Sequence, residues 1–173
     1  RIAVAHLGVS LQLQHTEATV MSTLRAGLRD AALGVLWLEP TEQGLRVGFS
    51  ELPDAVQPHW QSALAARSPG DTGQWARLTR EAWGWGESFA DDGLQELAGF
   101  LGAPEVGALP WLEALGLVRA VAVRIDLTGG ARAVLVLLAS WLAADDLPPA
   151  RLLAAQVAAA LDNARLMRAA SIR

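Results

Sequence analysis

The chain lacks cysteine and lysine altogether and carries a single asparagine, Asn163. Without cysteine there is no disulfide framework, no thiol nucleophile and no zinc–thiolate site. All 14 basic residues are therefore arginine, which excludes Schiff-base chemistry and a P-loop. Basic charge is also in deficit: the net charge of −4 argues against a nucleic-acid partner, since phosphate contacts need a basic stripe. Histidine is scarce, and His6, His15 and His59 do not share metal-ligand spacing. No Gly-x-Ser-x-Gly signature occurs, and Glu87-Ser88 and Asp91-Asp92 have no neighbouring histidine to make an acid–base pair. The sequence predicts no enzyme, no metal and no cofactor. The longest uncharged run, Ile2 to Thr16, contains Gln12, Gln14 and two histidines; it is too short and too polar to insert in a membrane. No signal peptide is evident. A start at Arg1 rather than methionine, and a last helix that simply stops, lead us to expect a piece of a longer polypeptide.

What is abundant is apolar. Such residues make up 52% of 173 positions, enough for one sizeable core and for extra burial in a pocket or between subunits. The most informative stretch is Gly116 to Met167. Val121, Val123, Ile125 and Leu127 alternate with Ala120, Ala122, Arg124 and Asp126, the period of a strand with one strongly apolar face. Thr128-Gly129-Gly130 supplies a tight turn. The return strand, Ala131 to Trp141, is apolar on both faces over 133–139 and so belongs in the middle of a sheet. Asp145-Asp146-Leu147-Pro148-Pro149 opens a helix to about Arg168. Along it Leu153, Val157, Ala160, Ala164 and Met167 form a heptad-like seam, beside a second stripe of Leu152, Gln156, Ala159 and Asn163.

Upstream, residues 2–32 read as one helix with Val20 and Leu24 on its apolar stripe. Strands follow at Val35–Glu39 and Leu45–Phe49, joined by a turn. A helix is expected from Pro53-Asp54 to Arg67. Residues 74–85 are ambiguous between helix and strand, the region around Trp85 and Phe89 reads as loop, and a short helix fits 94–101. One helical turn at Trp111 to Leu115 leads back into the main strand.

The order strand to Asp126, Gly-Gly turn, strand Val134 to Leu138, then Leu152-Leu153-Ala154-Ala155-Gln156-Val157-Ala158-Ala159-Ala160-Leu161-Asp162-Asn163-Ala164-Arg165-Leu166, resembles the C-terminal half of a GAF domain. Leu24 to Glu39 resembles the first helix and strand of that family. The resemblance covers roughly residues 16–168, with 1–15 as a helical extension. It implies an α+β fold of the GAF/PAS kind: a central antiparallel sheet of five or six strands flanked by helices, with the N- and C-terminal helices packed together. It further implies a cytoplasmic, regulatory sensor of a bacterial signalling protein, set in a histidine kinase, a cyclic-di-nucleotide enzyme or a transcriptional regulator. Such a module transmits through its terminal helices to a linked output domain. The departures narrow this. Absent lysine removes the cyclic-nucleotide pattern, and absent cysteine removes bilin attachment and methionine-sulfoxide reduction.

The resemblance also places an unidentified small-molecule ligand under the tryptophan-rich middle of the chain. Trp37, Trp60, Trp75, Trp83, Trp85, Phe89 and Trp111 are the candidate aromatic walls, set against the alternative that these rings fill the core. Arg124 is the candidate anion partner, set against a cross-strand ion pair. For a homodimer through the terminal helices, Val20, Leu24, Leu153, Val157, Ala160, Ala164 and Met167 are the expected contacts, unless those stripes pack on the chain's own sheet. A ligand-free interaction module is the alternative function.

Overall fold

The computed structural model describes residues 4–31, 34–42, 44–67 and 77–172. Its centre is a five-stranded, wholly antiparallel sheet in the order β2-β1-β5-β4-β3. The strands are β1 (Gly34–Thr41), β2 (Gly44–Glu51), β3 (Glu87–Ala90), β4 (Arg119–Asp126) and β5 (Arg132–Ala139). The doubly apolar β5 does occupy the central place, pairing β1 through Val35↔Leu137 and β4 through Val123↔Leu135. At the β4–β5 turn Gly129 and Gly130 adopt φ of 92° and 88°, where a side chain would be strained.

Alternation sorts the strands onto two faces. Val35, Trp37, Val121, Val123, Ile125, Leu135 and Leu137 meet one cluster; Leu36, Leu38, Ala120, Ala122, Val134, Val136 and Leu138 meet another. The first face is covered by α1 (Val4–Gln12), α2 (Glu17–Ala31) and α6 (Leu147–Ile172). The second is covered by α3 (Gln57–Ala66), α4 (Arg77–Trp85) and α5 (Gly93–Phe100), with a 3-10 turn at Pro110–Leu115. The fold is thus α+β with the terminal helices together on one side, as the sequence implies.

Two elements differ from expectation. The single helix over 2–32 is two helices. Thr16 stops the first and starts the second: its hydroxyl accepts from the Thr19 N–H at 3.2 Å while its own N–H donates to Thr19 Oγ1 at 3.3 Å. This reciprocal cap satisfies orphan donors at the start of α2. The loop around Phe89 is a strand, β3, whose Glu87 to Ala90 register with Val123 to Ala120 closes the sheet edge.

The helices on the first face approach closely. At Gly8 the backbone of α1 faces the amide end of the Gln156 side chain on α6. Gln12 Nε2 donates to the Gln156 carbonyl at 3.4 Å, and His15 shares a recess with Ala164 and Met167. The two helices therefore run side by side in the same direction. Asp162 ties α6 to the hairpin by accepting from the Thr128 N–H at 3.1 Å and its hydroxyl at 2.8 Å.

This packing corrects the expected dimer seam. Val20, Leu24, Leu153, Val157, Ala160 and Ala164 are buried inside one chain, against the sheet and against each other. A seam the chain itself covers has no surface left for a partner. Met167 alone of that set is exposed, at 49%. No helix among the described residues is long and apolar enough to cross a membrane.

Candidate functional site

Among the described residues, the second face holds a buried aromatic pair beside a small void with polar groups at its wall. Trp60 on α3 is fully buried there, stacked on Phe100 with ring centroids 6.2 Å apart, and its indole N–H donates to Ser50 Oγ at 3.1 Å. On the other side of Phe100, Leu36, Leu38, Leu78, Leu97, Val136 and Leu138 line a void of about 10 Å³, room for one water at most. Two polar side chains reach its wall, Thr79 from α4 and Glu96 from α5.

Glu96 is the electrostatically unusual group. Burial raises its carboxyl above the ordinary glutamate value of 4.5, opposed by the Leu78 N–H, which donates to Oε2 at 3.2 Å, and by Arg77 at 3.8 Å. Because folding raises this value, the protonated form is the one the fold favours. Its contribution is fullest below 4.5 and is lost as pH rises from there through the folded value. Glu51 acts with the opposite sign. Arg25, at 2.6 Å, holds its carboxyl below the ordinary range, so that contribution is lost as pH falls through the folded value. We expect Glu96→Gln to keep an acceptor for the Leu78 N–H while removing the ionisation cost. Thermal melts from pH 4.5 upward should show the variant gaining on the wild type as pH rises. A constant difference would show that Glu96 ionises without penalty.

The cover of this face is anchored to the sheet edge by α4. Arg77 Nη1 donates to Glu81 Oε2 at 2.7 Å, Ser88 Oγ donates to the same oxygen at 2.7 Å, and Arg77 Nη2 reaches the Phe89 carbonyl at 3.0 Å. At the other end of α4, Arg124 Nη1 donates to the Trp83 carbonyl at 2.6 Å and Nε to Asp126 Oδ1 at 2.9 Å. Beyond it Trp85 stands 80% exposed over an open cleft of about 460 Å³ between the α4–β3 turn and α6.

No protein-family model matches the sequence, and no curated protein does. Solved structures do match, over nearly the whole chain. A methyl-accepting chemotaxis protein fragment, residues 122 to 287, is similar at 16% identity, covering 94% of this chain and 99% of that one, with a TM-score of 0.60. CepR2 from Burkholderia cenocepacia, an N-acylhomoserine-lactone-dependent LuxR-family transcription factor, is similar at 13% identity over 94% and 95% of the two chains, TM-score 0.60. A GAF domain/HD domain protein from Geobacter sulfurreducens is similar at 11% identity over 94% and 98%, TM-score 0.57. The fold is GAF-like.

Within the GAF-like fold the candidate aromatic walls do not converge on one cavity. Trp60 reaches the centre of the second face as a packed core ring. Trp111 lies at its margin, half-buried and stacked on His59 at 5.7 Å. Trp83 is half-buried against the same cluster with the Arg132 guanidinium 5.9 Å from its ring. Trp37 and Phe89 point to the first face, the terminal-helix side: Trp37 alternates with the void-lining Leu36 and Leu38, and Phe89 stands opposite Val121. Trp37 stacks on Phe49 there at 6.0 Å. Trp85 faces solvent, and Trp75 lies outside the described residues. Arg124 makes a local ion pair with Asp126 and turns to the cleft instead of the void. The groups the sequence did not single out are Thr79 and Glu96. A lone glutamate at position 96, between Leu94 and Leu97 on an amphipathic helix, was the signal available.

Proposed function

We propose that this chain is a non-enzymatic regulatory domain of a bacterial signalling protein, one that pairs with a second copy through the outward face of α6. An output segment in the same polypeptide would read that pairing. The observation that carries this reading is a charge-free stripe on the side of α6 that faces away from the sheet. Leu152 (53% exposed), Ala155, Ala159, Asn163, Leu166 (68% exposed) and Ala170 recur at intervals of three and four, all solvent-facing. A helix side left to water ordinarily carries charge. This one runs about 27 Å without any. Its pattern is also symmetric about Ala159, with Leu152 and Leu166 seven positions to either side. A two-fold interface brings each residue onto its counterpart's partner, so an antiparallel pair would set Leu152 on Leu166 and let the alanines draw the helices close. The neighbouring α1 and the turn after it add exposed Val9 and Leu13.

Ala159→Glu tests this. Sedimentation of the wild type should give a dimer, and the variant a monomer with an unchanged circular dichroism spectrum, its melt lowered only by the loss of pairing. A wild type that stays monomeric at high concentration would sink the reading.

Small-molecule sensing on the second face is the other reading, and Glu96 and Thr79 at the void wall favour it. The void is about 10 Å³, against roughly 300–1,000 Å³ for drug-sized pockets. A ligand there has to displace α4 or α5, which wall the void, so sensing would work by opening a closed cover, with differential affinity for the open state.

A further inference from the structure

The cleft beside Trp85 lies across the sheet edge from the void and borders the outward stripe of α6 at Ala155, which lines both, and its chemistry is of a different kind. One wall is the end of α4 and the start of β3, with the exposed indole of Trp85 and the carboxylate of Glu87. The floor is α6, where Ala154 and Ala158 present only methyl groups. Arg151 on α6 and Arg124 and Asp126 on β4 complete it.

The charges there are arranged in alternation and fixed by contacts. Arg151 Nε lies 3.0 Å from Glu87 Oε2. That contact is one of charge, since no hydrogen bond of acceptable geometry reaches this buried oxygen. Both Arg151 Nη groups are left without a protein partner among the described residues. Arg124 is pinned at two points, by Asp126 and by the Trp83 carbonyl, and its Nη2 is likewise unengaged. Arg132 also approaches Asp126 Oδ1, at 3.5 Å.

A simple anion entering this cleft meets Glu87 and Asp126, and a simple cation meets Arg124 and Arg151. Each would gain one attraction against one repulsion. A molecule bearing both charges on adjacent atoms meets each with its opposite. The alanine floor and the open face of the indole then accept an apolar or aromatic side chain, the combination by which small-molecule sites fix orientation with a few polar groups and hold the remainder by apolar contact. We propose that the Trp85 cleft binds a free α-amino acid with an apolar or aromatic side chain. Its carboxylate goes to the unengaged Nη groups of Arg151 and Arg124, its ammonium to Glu87 and Asp126, and its side chain lies between Trp85 and the α6 alanines. Occupancy would clamp the end of α4 to α6, joining the helix that covers the void to the helix that carries the outward stripe.

Titration of the protein with L-phenylalanine, followed by calorimetry and by the Trp85 indole N–H signal in NMR, is the direct test. Phenylacetate lacks the ammonium and phenethylamine lacks the carboxylate. L-phenylalanine should bind saturably, and each single-charge analogue about tenfold or more weaker, the scale of losing one charged partner. Trp85→Ala and Arg151→Gln change exposed side chains, and each should weaken L-phenylalanine by about tenfold while the native circular dichroism spectrum is retained. The proposal is overturned if L-phenylalanine gives no saturable response, if phenylacetate binds as tightly, or if either variant binds as well as the wild type.

Discussion

Replacing Trp60 with alanine is expected to destabilise the fold by about 3–5 kcal/mol, the range for truncating a fully buried aromatic. Its indole is wholly removed from water, stacks on Phe100 and satisfies the buried Ser50 hydroxyl. Alanine would therefore lose transfer energy, leave a cavity on the second face and orphan a polar group. Set against a total stability of about 5–15 kcal/mol for an ordinary protein, that loss places the variant near the edge of folding. Trp60→Phe separates the contributions, since it keeps most of the packing and gives up the hydrogen bond, at about 1–3 kcal/mol for a buried group left unpaired. Urea titration of the three proteins would measure both steps. An alanine variant within about 1 kcal/mol of the wild type would mean that this face is loosely filled, and would restore the case for a standing ligand cavity there.

Val157→Glu should unfold the chain outright. Val157 has no exposed surface and sits in the cluster formed by α2, α6 and the sheet. A carboxylate placed among the apolar side chains of that cluster is a buried charge, and the penalty of several kcal/mol for leaving one uncompensated approaches the whole stability. The contrast with Ala159→Glu, two positions along the same helix and solvent-facing, is the sharp part of this prediction. The first substitution should abolish the far-ultraviolet signal of the native fold, and the second should change only the state of association. If Val157→Glu instead gave a folded monomer, the packing of α6 onto its own sheet would be wrong.

That contrast also explains how much of the molecule was legible from residue order. Period-two alternation placed β4 and its faces, because a half-turn per residue admits only one assignment once Val121, Val123 and Ile125 share a side. The doubly apolar β5 announced its central position for the same reason. The seam of Leu153, Val157, Ala160 and Ala164 was equally visible. Its destination was not, since an apolar stripe has the same spacing whether a sheet or a second copy covers it. What decides is the opposite side of the helix, where Leu152, Ala159 and Leu166 stand exposed. The split between α1 and α2 was carried by two threonines whose cap depends on mutual geometry. β3 is four residues long, too short for alternation to register above the glycines around it. The tryptophans dispersed over both faces and the surface because a large ring marks burial without indicating on which side.

The pairing of the first helices with the last has a consequence for biogenesis. Gln12 meets Gln156 and Glu17 meets Arg165, positions 144 and 148 apart in the chain. On a ribosome delivering about 5–20 residues per second, α2 emerges many seconds before the segment that shields Val20, Leu24 and Leu28 exists. The nascent protein must carry that apolar ridge unprotected until α6 is translated. A chain halted before Leu147 is therefore expected to expose Val20, Leu24 and Leu28 to water, and to aggregate more readily than the full-length domain.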